Sequence, residues 1–166
     1  NVEGVPLVLA LYRAILKAGG NPWLDLGIED AEELLYVFGR EEQLDYVPPF
    51  LHHAVEDFDA DIAVWTSANT KRLSSVDPAR QARRAKAMHP LTQRVFERMA
   101  TKELRWVGTA FPTYADAQSA EMSLREYEDF VYGACRVSEP DPMAAWKDVS
   151  REQQTLIDWL SERSGI

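Results

Sequence analysis

Apolar residues recur at helical spacing from the start of the chain. Leu7, Val8, Leu11, Tyr12, Ile15 and Leu16 follow Pro6, a good first helical residue, until Gly19-Gly20 supplies a stop. After Asn21-Pro22 the pattern shortens: Trp23-Leu24-Asp25-Leu26 predicts a strand, and Ala31 to Phe38 a helix ended by Gly39. Pro48-Pro49 opens a helical segment through Phe50, Leu51, Ala54, Val55 and Phe58, and Asp61-Ile62-Ala63-Val64-Trp65 follows as a buried strand. Asp77-Pro78 supplies a cap and a first helical position for a helix to about Met88. His89-Pro90 is expected to break it, and Leu91, Val95 and Met99 carry a second helix to Ala100.

The strongest strand candidate is Leu104 to Phe111, rich in aromatic and β-branched residues and stopped by Pro112. Ser123-Leu124-Arg125-Glu126 is a capping box that opens a helix to about Cys135. Asp141-Pro142 caps another short helix, and Ser150-Arg151-Glu152-Gln153 is a second box leading into Leu156, Ile157, Trp159 and Leu160. Mostly apolar strands alternating with helices predict an α/β fold, three-layered, with a mostly parallel sheet and helices on both faces. With no repeat, low-complexity tract or Gly/Ser-rich linker, the expectation is a single domain over residues 1–166. The opening Asn1-Val2-Glu3-Gly4-Val5-Pro6 runs straight into a helical pattern, which predicts a fragment of a longer protein.

Composition narrows the function classes. The 166 residues suit one hydrophobic core, with 46% hydrophobic and 27% charged residues. A formal net charge of -9 disfavours nucleic acid, whose binding rests on basic side chains. No apolar run approaches the ~20 residues of a membrane span and no secretory leader is visible, so no membrane partner is expected. The single cysteine, Cys135, has no partner for an internal disulfide, and a reducing compartment suits it.

Charge is unevenly spread. Lys71 to Lys102 holds nine basic residues against two acids, a local +7 that leaves -16 elsewhere. A run of this kind is ordinarily a solvated face, but the helix carrying Arg80, Arg83 and Arg84 is also a candidate docking surface for an acidic neighbour, either a domain or a subunit.

Candidate chemistry is sparse. His52 with Glu56, or His53 with Asp57, has the i, i+4 spacing that can hold a metal, but there is no HExxH pattern or third ligand, and a surface pair accounts for them. Cys135 as a nucleophile lacks a neighbouring base, His89 belonging to a helix break. The carboxylates Glu126, Glu128 and Asp129 lie in or next to the first turn of a capped helix, where the helix dipole favours negative charge without any catalytic role. Serine-hydrolase, dinucleotide and P-loop motifs are absent. Ligands of open α/β sheets gather beyond the carboxyl ends of strands, which makes the loop Pro112 to Gln118 the candidate functional segment. Thr113, Tyr114 and Gln118 are its cavity-lining candidates.

Four separated motifs then carry a resemblance. They are Gln43-Leu44-Asp45-Tyr46-Val47-Pro48-Pro49; Glu103-Leu104-Arg105-Trp106-Val107-Gly108-Thr109; Met122 through Tyr132; and Asp141-Pro142 with Trp146 and Gln153-Gln154. In this order they resemble the N-terminal domain of the thermophilic aminopeptidases, the bacterial family that includes aminopeptidases T and S. The resemblance implies a cytoplasmic, homodimeric metallo-exopeptidase that removes N-terminal residues from peptides. It implies two divalent ions, zinc or cobalt, held by carboxylates and histidines of a C-terminal catalytic domain, and no catalytic or metal-binding residue in this chain. Family members also carry an apolar strand before the segment matching Val5 to Ala18, which has no counterpart in these residues. The rival expectation is an independent α/β module that binds a small ligand at the Pro112 to Gln118 loop. A phosphoacceptor signalling domain would need several carboxylates at strand ends, for which Asp25 alone is a poor substitute.

Overall fold

A computed structural model of the chain describes residues 2–163, so the expected domain range of 1–166 extends slightly past it at both ends. A single 3-10 turn, Val2–Gly4, leads into α1 (Val5–Lys17). Pro6 lies in the first turn of α1, where a missing N–H costs nothing. The stop is a left-handed Gly19 at φ 84°, with the Gly20 N–H donating to the Ile15 carbonyl and the Gly19 N–H to that of Leu16, both at 3.0 Å.

Next come α2 (Glu29–Phe38), α3 (Glu41–Asp45), α4 (Phe50–Asp57) and β1 (Ala60–Trp65). The long α5 (Pro78–Ala100) crosses to β2 (Arg105–Ala110), followed by α6 (Tyr114–Ser119), α7 (Leu124–Ala134) and α8 (Pro142–Ser161). β1 and β2 pair in parallel, Ala60 opposite Arg105 through to Trp65 opposite Ala110. The expected α/β class and the parallel pairing are present. The sheet is narrower than expected, two strands among the described residues, and does not by itself display three layers.

Four local expectations differ from the structure. Trp23 to Leu26 is not a strand. The apolar pattern is right for one, but a strand exists only where a partner takes up its backbone donors and acceptors, and β1 and β2 pair only with each other. The Trp23 ring instead stacks on Phe58, centroids 5.8 Å apart. His89-Pro90 does not break α5, which runs through Pro90 as one helix. The second capping box at Ser150 is no helix start either: with neither Gly nor Pro between Met143 and Ser161, the helix begun by the Asp141 cap continues through it. Finally, most of the expected Pro112 to Gln118 loop, from Tyr114 on, is helical, as α6.

The reason α5 survives its proline lies in its arginines. On the N-terminal side of Pro90, Arg80 donates to the carbonyls of Tyr36 and Gly39, at the end of α2. Arg83 forms a two-pronged pair with Asp45 at 2.8 and 2.6 Å, and Arg84 donates to the carbonyls of Leu44 and Tyr46, all on or just after α3. On the C-terminal side, Arg94 grips Glu56 of α4 at 2.6 and 2.7 Å, and the buried Arg98 donates to the Val55 carbonyl. Both halves are therefore clamped, and Leu91, the residue after the proline, is buried. Beneath α5, Leu44 is fully buried among Tyr36, Val76, Leu35 and Leu73. Burial, and secondarily the nearby Glu32, pushes the Tyr36 phenol above its usual range.

These clamps predict an acid limb. Hydrogen bonding to Arg83 holds Asp45 below the usual carboxylate range, and hydrogen bonding to Arg94 does the same for Glu56. A carboxylate whose folded pKa is depressed contributes stability that is full above its unfolded pKa and is lost as pH falls through the folded value, which here lies below the ordinary carboxylate range. The expected result is that Glu56→Gln melts earlier than the parent chain at neutral pH, with the gap narrowing as the pH is lowered through the acid range. Both groups are exposed, so ~1 M salt should narrow the gap at neutral pH as well. Denaturant midpoints across pH measure this, and a gap that persisted in acid would contradict it.

Candidate functional site

Because β1 and β2 are parallel, both strands end on the same edge of the sheet, and the segments that follow them meet there. After β2 the Phe111 N–H donates back to the Trp65 carbonyl at 2.9 Å, and Pro112 and the buried Thr113 lead into α6. The Thr113 hydroxyl caps that helix, accepting from the Asp116 N–H at 3.1 Å while donating to the Asp116 carboxylate at 2.8 Å. Tyr114, the first helical residue, is 72% exposed, and Gln118 is exposed one turn on.

After β1, residues 66–76 form a loop tied at several points. The Thr70 and Ser119 hydroxyls are hydrogen bonded at 2.9 Å, joining this loop to α6. The Ala68 N–H donates to Glu29 at 3.2 Å, and Arg72 reaches both the Glu29 carbonyl and the Glu32 carboxylate at the start of α2. The start of α1 closes the same edge. Gly4 is buried so tightly that an added Cβ would lie 2.8 Å from the Thr66 methyl and 3.3 Å from Val64. Thr66 Oγ1 is buried with no hydrogen-bond partner.

The edge is thus lined by hydroxyls and by one exposed phenol. Hydroxyls and a phenol can orient a bound chain through hydrogen bonds and apolar contact, but they do not assemble a nucleophile with a base: the three histidines lie on α4 and α5. Of the residues singled out from sequence, Thr113, Tyr114 and Gln118 come together here on one short helix and its cap. The pattern Thr113-x-x-Asp116, a helix-start signal, marks that helix in the sequence. Thr66, Thr70 and Ser119 were missed; applying the strand-end rule to β1 as well as β2 would have pointed to the first two.

Other candidates are placed elsewhere and otherwise engaged. Arg80, Arg83 and Arg84 each donate to α2 or α3 of their own chain or to the residue just after them. His52 and His53 are exposed on α4, and Glu56, the carboxylate spaced to join His52, is held by Arg94. Among the described residues no group of three or more His, Cys, Asp and Glu side chains is arranged to hold a metal ion. Glu126 closes the Ser123 capping box, accepting from the Ser123 N–H at 3.0 Å and its hydroxyl at 2.6 Å, which lowers its pKa. Cys135 is half-buried at the end of α7, its carbonyl accepting from the Trp146 indole at 2.9 Å. No described helix is long and apolar enough to cross a membrane.

A family model described as thermophilic metalloprotease (M29) matches residues 1–165. No curated protein matches the chain.

Proposed function

The chain belongs to the thermophilic metalloprotease (M29) family, and from that premise we propose that it is the non-catalytic N-terminal α/β domain of a metal-dependent aminopeptidase. In this reading the whole enzyme is cytoplasmic and removes N-terminal residues from peptides. Its two divalent ions, zinc or cobalt, sit in a C-terminal catalytic domain, and this domain contributes architecture, homodimer contacts and enclosure of the active site.

That no group of three or more His, Cys, Asp and Glu side chains among the described residues is arranged to hold a metal ion supports placing the ions elsewhere. The observation that carries the reading is the family match over residues 1–165; in keeping with it, Glu56, spaced to join His52, fastens α4 to α5 through Arg94 at 2.6 and 2.7 Å. The sheet edge with Thr113, Tyr114 and Gln118 is the part suited to enclosing a peptide. Apolar side chains left exposed, among them Trp146, Leu156, Ile157 and Leu160 on α8, support contact with further protein.

Two measurements test the proposal. The chain alone, supplied with zinc or cobalt, should release no N-terminal residue from a fluorogenic peptide and should show no tight stoichiometric zinc uptake by calorimetry. Metal-dependent turnover by these residues would sink the assignment of the chemistry to another domain. In the whole enzyme, Tyr114→Ala should raise KM for peptides by roughly 3- to 10-fold with kcat little changed, as expected when uniform binding is removed. Unchanged KM across peptide lengths would take Tyr114 out of the enclosure.

A further inference from the structure

We draw no further inference here: the strongest candidate, the apolar stripe of Trp146, Val149, Leu156 and Leu160 along α8, carries nothing because nothing in the structure shows what covers it.

Discussion

Replacing Leu44 with alanine is expected to cost about 3 kcal/mol of unfolding free energy, in the range usual for a fully buried leucine. Leu44 has no exposed surface and is held between Tyr36 of α2 and Val76 of the segment leading into α5, with Leu35 and Leu73 packed around them. The loss exceeds the transfer energy of the deleted methyl groups because the hole cannot close. The Leu44 carbonyl is tied to Arg84, its neighbour Asp45 to Arg83, and the end of α2 to Arg80, so α3 is pinned to α5 at its present height. Leu44→Met keeps the volume and should cost less than about 1.5 kcal/mol. With a urea slope of about 2 kcal/mol/M, the alanine variant should unfold roughly 1.5 M earlier than the parent chain. A shift below about 0.3 M would mean that this cluster does not carry the fold.

That joint also shows what could be read in advance. The helices α1, α4 and α7 and the strand β2 were legible because each is bounded by local chemistry, Pro6 and Gly19, Pro49, the Ser123–Glu126 box and Pro112, and β1 because of its apolar run. Two of the misjudged places are those where a distant partner decides. Trp23 to Leu26 has the composition of a strand but pairs with neither β1 nor β2, and Pro90 has the chemistry of a break but lies in a helix clamped on both sides. Charge was legible as an excess along Lys71 to Lys102, yet only the fold shows where its guanidiniums go. Arg80, Arg83, Arg84, Arg94 and Arg98 each find an acceptor about forty residues earlier in the same chain.

The candidate site was legible in the same partial way. Thr113, Tyr114 and Gln118 follow from one rule about strand ends, applied to the strand with the clearest pattern. The Thr70–Ser119 hydrogen bond and the approach of Gly4 to Thr66 are long-range and leave no periodic signal. The family match spans residues 1–165.

Pro90→Ala is expected to stabilise the chain, by about 2 kcal/mol. A proline inside a helix removes one backbone hydrogen bond, and its ring crowds the carbonyl four residues back, together about 3 kcal/mol. Here that carbonyl belongs to Lys86, and alanine would restore its donor while giving α5 its best helix former at an exposed position. Against this gain stands the greater freedom of the unfolded chain once proline is gone, about 0.4–1 kcal/mol. The balance favours the variant because α5 is continuous through Pro90 and its two halves are each held by arginine clamps, so a regular turn at residue 90 completes a helix that already exists. A urea midpoint roughly 1 M higher than that of the parent chain is the expected reading. A lower midpoint would mean that α5 is bent at Pro90 and that the clamps to α3 and α4 require the bend. The proline would then shape the domain instead of being tolerated by it.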